Sequence, residues 1–338
     1  MAEGEYYTRN SEILLIYEAR LCNPNGDPDE ENKPRMDLVT RRNLVSDVRL
    51  KRFFRNYIMD RYGEEYIWVS TIKGRHVTAA ERLGDKKPEE ILKSCIDARL
   101  FGATIPIPAS KKKERESPER RGKGGDQKGE GKGESISYIG PVQFTWGYSL
   151  HPVELVDSPT ITSVFKGREE EGEAGETYGT IGKDWRVYYS LIAFYGVVSG
   201  LRSRGTGLRE LDIKILDNLL WKSIALEATT RSKIGEKPHL YLRVEYKDSE
   251  TIIGDLRKYV KEGYDEQKAI RDLTDIKLDF SPLKEALMQV RERIQRVYIY
   301  ESDEFKELYR LNSLMKDVAN TVELPHDIGI SEGCLTAE

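Results

Sequence analysis

The sequence predicts an α+β fold built on a β-α-β-β-α-β unit, the ferredoxin-like (RRM-like) arrangement. Three observations carry this prediction. A strand-length apolar run, Ile13-Leu14-Leu15-Ile16-Tyr17, lies near the start of the chain. Two helical patterns follow, at 42–58 and 209–229. Three further strand patterns, at 140–156, 186–198 and 239–246, complete the order, with long insertions after the first helix and between the two middle strands.

The elements are justified in turn. The run within 13–21 is apolar at successive positions, which suits a central strand covered on both faces. It leads into a turn-rich loop, N-P-N-G-D-P-D-E-E-N-K-P-R-M-D, punctuated by Asn-Pro, Asn-Gly and Asp-Pro. On the helix that follows, Leu50, Phe53, Phe54, Tyr57 and Ile58 share an arc of about 140°. Arg49, Lys51, Arg52 and Arg55 fall opposite. Such a face is often simply solvated. The absence of an acidic partner after Asp47 in this stretch favours a phosphate-facing role.

Residues 61–109 are mixed, with a strand expected at Ile67–Ile72 and a helix containing Cys95 at Pro88–Leu100. Lys111 to Glu134 is almost free of large apolar residues and is expected to be disordered. Val142, Phe144 and Trp146 alternate with polar residues, a strand signal. Thr160 to Ile181 is turn-rich and reads as a long protruding hairpin. Trp185 to Val198 is apolar and aromatic, which favours a buried strand. Gly200–Gly207 reads as the opening of a helix rather than a phosphate loop. Leu211, Ile215, Leu219 and Ile224 give Leu208–Thr230 a helical period, and His239–Tyr246 alternates as a strand. The region 251–338 is expected to be mostly helical, at Pro282–Gln295 and Glu304–Asn320, with a loose tail from Glu323.

Composition bounds the function. The chain has 338 residues, enough for about two domains or one with insertions. Its net charge of −4 excludes a globally basic nucleic-acid binder, so any such role rests on local patches. Cys22, Cys95 and Cys334 lie far apart without metal-ligand spacing, as in a reducing cytosol. There is no signal-peptide pattern, and the longest apolar run, near Leu191–Val198, is too short to span a bilayer. A cytoplasmic protein with no membrane partner is expected.

Catalytic patterns are sparse. His76, His151, His239 and His326 are scattered, and no G-x-S-x-G or Walker-type motif occurs. Asp27, Asp29, Glu30 and Glu31 cluster in the loop. They fail the calcium-loop pattern, because Asn32 replaces the glycine and Leu38 the bidentate glutamate. No metal and no cofactor is expected. Cations are better placed. The helix face, with Arg231 and Lys233 in a second basic turn, suits the backbone of single-stranded RNA.

At these residues the chain resembles a known family. N-P-N-G-D-P-D-x-x-N-x-P-R-M-D, followed by L-V-S-D-V-x-L-K-R-F-F-R-N-Y, resembles the backbone subunit of type I CRISPR interference complexes (Cascade), of the RAMP superfamily. The type I-B branch is closest and type I-C next. Asp97–Gly102, Tyr138–Gln143, Gly179–Gly200 and Thr230-Arg231-Ser232 extend the likeness over most of residues 10–250.

The resemblance implies a hand-like protein with a ferredoxin-like palm, a fingers insertion, a thumb hairpin and C-terminal helices. The palm would take 1–60, 136–157 and 184–250, the fingers 61–135, the thumb 158–183 and the extension 251–338. Copies would stack as a helical filament along the CRISPR guide RNA. Each thumb would kink the guide at regular intervals, leaving it free to pair with target DNA. Implied partners are a guide 5′-handle-binding subunit, large and small subunits, a guide-processing endonuclease and a recruited helicase-nuclease.

Lys51 and Arg52, from the L-K-R of the motif, are the implied guide-phosphate contacts. Arg35, Arg41, Arg42, Arg49 and Arg55 are neighbours by charge, and Asn25 and Gly26 offer loop contacts. Arg231 and Lys233 join them, with Lys166, Thr180 and Lys183 from the thumb. The subunit would not be an enzyme. The alternative is a type III-like backbone subunit with metal-dependent endoribonuclease activity from Asp27 or Asp37. A guide-processing endonuclease and a purely structural subunit rank lower.

Overall fold

The computed structural model describes residues 6–107, 134–162, 181–325 and 329–337. The segment expected to be disordered, apart from Glu134, lies outside them, as do Lys166 and Thr180.

The strand Ser11–Cys22 is the centre of an eight-stranded sheet. It pairs antiparallel with Val187–Val198 on one side and Glu236–Tyr246 on the other, so that Leu15 faces Phe194 and Tyr241 across the two ladders. Beyond Val187–Val198 come Gly147–Ser149, with Val142–Phe144 beside it, and then Leu44–Val45 at the edge. The strand order and the two long helices between strands follow the expected β-α-β-β-α-β succession.

Both faces of this sheet are covered, which explains the unbroken apolar run. Ile13, Leu15, Tyr17 and Ala19 point into one core with the helices Asp47–Tyr62 and Glu210–Glu227. Leu14 and Ile16 point into a second core with Leu256, Val260, Leu273, Leu283, Leu287 and Phe305 from the C-terminal region. Each large apolar side chain buried this way contributes about 1.5–3 kcal/mol. The second face is occupied by the chain's own C-terminal region, in keeping with a central strand covered on both faces.

That region also differs from the helical extension expected. The pattern at Pro282–Gln295 gives the helix Ser281–Gln289, and Ile294–Glu301 becomes a strand. There Val297 and Ile299 find Val244 and Leu242 across the ladder. Neighbouring strands thus override the helical reading of the β-branched and aromatic residues. Glu304–Asn320 divides into Asp303–Tyr309 and Leu311–Lys316 at Arg310, whose φ is +47°. A hairpin, Lys261–Tyr264 with Ile276–Asp279, was not foreseen.

The tail is held, not loose. Thr321–Glu323 adds a parallel strand to the sheet edge. Arg99 donates to the Leu335 carbonyl at 2.6 Å, and Arg209 to those of Cys334 and Thr336 at 2.9 and 2.6 Å.

Four local expectations also change. The first long helix begins at Asp47 instead of residue 42, because Leu44–Val45 pairs with Gly147 and Tyr148. The Ser46 hydroxyl caps it, and Gly63 ends it at φ +125°, a conformation that only glycine adopts readily. Ile67–Ile72 is not a strand, since the amides of Trp68 and Val69 bond the Asp97 carboxylate instead of a neighbouring strand. The helix expected at Pro88–Leu100 breaks at Cys95 into Pro88–Ser94 and Ile96–Phe101. Similarly, the strand expected at 140–156 is two short pieces.

Candidate nucleic-acid interface

The loop between the first strand and the first long helix is held by its own hydrogen bonds. Gly26-Asp27 and Lys33-Pro34 pair as a miniature ladder. A Cβ at Gly26 would lie 2.7 Å from the Asn32 carbonyl oxygen, so glycine permits this close approach within the loop. Asn25 Oδ1 accepts from the Ser46 amide at 2.8 Å, and the Arg35 amide donates to the Asn25 carbonyl. Asn43, fully buried, donates to the Arg35 carbonyl and accepts from the Ser190 hydroxyl. The two ends of the loop are thereby bound to each other and to the sheet.

The cations of the first long helix separate into two kinds, correcting the picture of one solvent-facing basic face. Lys51 and Arg55 are each only 7% exposed. Lys51 Nζ donates to Asp47 at 3.0 Å and to Gln143 at 3.1 Å, and Arg55 Nε donates to Asp97 at 2.8 Å. Arg49 stacks 3.9 Å above the Phe53 ring, and its Nη2 stands 3.5 Å from Glu236. Asp47 lies on the same helix, whereas the acids facing Arg55 and Arg49 are supplied by distant segments. Arg52 is the exception. It is half-buried and makes no hydrogen bond or ion pair with a described residue. Burial, followed by the charges of Arg55 and Arg49, lowers its pKa. An anion would relieve both effects.

The loop cations also divide. Arg35 pairs with Asp27 at 2.8 Å and lies over the Trp146 ring. Arg42 pairs with Glu262 at 2.7 Å, donates to the Ser149 carbonyl and covers Tyr148. Arg41, at φ +54°, keeps an exposed side chain with no hydrogen bond or ion pair to a described residue.

A third group gathers where the predicted hairpin leaves the sheet. Its base is a ladder of Thr160–Thr162 with Ile181–Lys183. Lys183 reaches Glu31 of the loop at 2.5 Å. Arg231 pairs with Asp184 at 2.9 Å and remains 64% exposed. Lys233 is not a surface cation. Its ammonium donates to the carbonyls of Asn23 and Pro24, the turn at the head of the loop.

Sequence reasoning missed Arg186, Trp185, Lys33 and Asn43. Arg186 donates to Asp184 and to the carbonyls of Leu21 and Arg231, joining three segments. Lys33 lies over the Trp185 ring. Apart from Asp184, two residues before Arg186, the partners of Arg186, and the Trp185 ring under Lys33, are remote in the chain, so no local spacing signals these contacts.

The acidic residues serve the loop itself. Asp27 accepts from Arg35 and from the Asp29 amide, while Asp37 accepts from the Val39 amide and the Thr40 hydroxyl. Among the described residues no group of three His, Cys, Asp or Glu is arranged to hold a metal ion. No helix among them is long and apolar enough to cross a membrane.

Known proteins share this architecture. The family model for CRISPR-associated protein Cas7 matches residues 9–281. A Haloferax volcanii protein described as CRISPR-associated protein Cas7 is 32% identical over 308 residues, covering 86% of each chain. A chain of a solved structure titled "CRISPR RNA-guided surveillance complex, pre-nicking" is similar in fold. Its TM-score is 0.50 at 13% identity, across 96% of this chain and 98% of that one. The chain belongs to the CRISPR-associated Cas7 family.

Proposed function

We propose that this protein is a non-catalytic backbone subunit of a type I CRISPR interference complex. Copies of it stack along the CRISPR RNA, and the hairpin based at Thr160–Thr162 and Ile181–Lys183 acts as a thumb that kinks the guide. The guide stays free to pair with target DNA, and cutting falls to a recruited helicase-nuclease. The family match over residues 9–281 carries this reading.

The cation pattern supports it physically. Arg52, Arg41 and Arg231 keep charge available for phosphates. Lys51, Arg55 and Lys233 maintain the surface on which those charges sit. A single-stranded backbone needs spaced cations on a preformed surface, and each phosphate neutralised steepens the salt dependence by about 0.7 in log–log slope. The non-catalytic assignment draws on Asp27 and Asp37, whose oxygens are engaged in the turns they stabilise.

The deciding experiment expresses the chain with a guide array and its neighbouring subunits. The expected result is copurification with one discrete RNA of guide length in a salt-sensitive complex. Protein that stays free of RNA and monomeric would overturn the reading. Incubating the complex with complementary RNA and Mg²⁺ addresses the type III-like alternative. Regularly spaced cleavage, abolished by Asp27→Ala or Asp37→Ala, would establish that alternative.

A further inference from the structure

Beneath the turn Asn23–Pro24 lies a carboxyl with few partners. Glu236 opens the strand Glu236–Tyr246, and its side chain is fully enclosed. Its Oε2 stands 3.5 Å from Arg49 Nη2, and its Oε1 has no hydrogen-bond partner among the described residues. The charged and titratable groups facing it are Arg49 from the first long helix, Lys233 from the preceding turn, and Tyr17 and Cys22 from the first strand. Arg49 Nε and the Tyr17 hydroxyl are likewise buried without partners. A carboxylate with one bare oxygen and one distant guanidinium is poorly compensated for lost water. Consistent with that geometry, burial pushes the Glu236 carboxyl up to about 7, against the opposing pull of Arg49 and Lys233.

The surroundings connect this carboxyl to the loop. Lys233, three residues earlier, donates to the Asn23 and Pro24 carbonyls, and the Asn23 amide donates to the Ser232 carbonyl. Arg49 belongs to the first turn of the helix whose cap residue, Ser46, is bonded by Asn25.

We propose that Glu236 is a positioning residue for the loop 23–45, closing the loop on the sheet when its carboxyl is protonated and loosening it when the carboxyl ionises. The sign follows from linkage. Opening the loop admits water and returns Glu236 toward an ordinary carboxyl, so opening releases a proton. The raised closed-state value gives stabilisation that is full below the ordinary glutamate range, about 4.3. It is lost as pH rises through about 7. Lys233 acts in a higher window. Burial, then Arg49, brings its ammonium down to about 8, so its contribution is lost as pH falls from the ordinary lysine range through that value.

The consequence for guide binding rests on the proposed function; the seating of the loop does not. The test uses the full chain and measures amide hydrogen exchange across residues 23–35, corrected for intrinsic exchange, at about pH 5.5 and about pH 7.5. Loop protection in the unmodified protein should fall by about tenfold between these values, while amides of the strand Glu236–Tyr246 hold theirs. Glu236→Gln should keep protection at the acidic level throughout. Unchanged protection in the unmodified protein would overturn the proposal, as would an undiminished pH response in Glu236→Gln. If the variant fails to fold, the unmodified protein alone still decides. Affinity for an unstructured single-stranded RNA is measured in parallel. A pH-dependent loop in a protein that binds no RNA would sustain the proposal and defeat the guide-binding reading.

Discussion

Two sets of cations in one protein teach opposite lessons. Lys51 and Arg55, on the helix that looks most basic in sequence, are enclosed and neutralised by Asp47 and Asp97. Arg231, in an unremarkable turn, keeps its charge at the surface beside the base of the predicted thumb. Helical periodicity assigns residues to sides of a helix but says nothing about what covers each side. A buried ion pair has given up its water and is structural first. An exposed pair contributes about 0–1 kcal/mol and leaves its cation free to exchange partners.

The strongest challenge to this contrast is Asp97→Ala. It strips Arg55 of its counter-ion and two backbone amides of their acceptor. Removing one member of a buried pair costs about 3–5 kcal/mol, which urea or thermal unfolding would register. A loss under about 1 kcal/mol would mean that the buried cations do not depend on their acids.

A smaller effect distinguishes two neighbours. Lys51→Ala should cost about 1–3 kcal/mol by leaving Asp47 and Gln143 without their charged donor. Arg52→Ala should leave stability within about 0.5 kcal/mol and lower the salt slope of RNA binding by about 0.7. If the two variants behaved alike in unfolding and in binding titrations, the division would be broken.

Arg231→Ala should likewise spare the fold and reduce the salt slope by about one phosphate's share. A binding titration with an unchanged slope would remove Arg231 from the interface.

The smallest effect concerns Asp37. Hydrogen bonding from the Thr40 hydroxyl, then the Val39 amide, holds its carboxyl below the usual aspartate range. A lowered folded value means that stabilisation is present at neutral pH and is lost as pH falls through that value, below about 3.9. Asp37→Asn should weaken only this acid-limb response in a pH-resolved melting series.

The same tip carries Leu38 and Val39, 85% and 92% exposed, on a loop whose turn is already hydrogen-bonded. Nothing in the candidate cation set explains these two side chains, and they give the loop an apolar surface beside its charged one.

Much of the architecture was legible in sequence because local chemistry dictated it. The run Ile13–Tyr17 called for a strand covered on both faces. Leu50, Phe53, Phe54, Tyr57 and Ile58 marked the buried side of a helix, and the loop punctuation between them was strong. What remained hidden depended on partners distant in the chain. Asp97 lies 42 residues from Arg55 and Glu236 lies 187 from Arg49. Ile294–Glu301 became a strand because Glu236–Tyr246 offered an open ladder. Periodicity and turn chemistry act over a few residues, so the sequence by itself determined which segments are strands, helices and loops around the first strand. Burial and charge compensation act through space. Only the tertiary structure decided that most cations of the basic helix serve the protein's own carboxylates, with Arg52 the one among them that has no ion pair to a described residue.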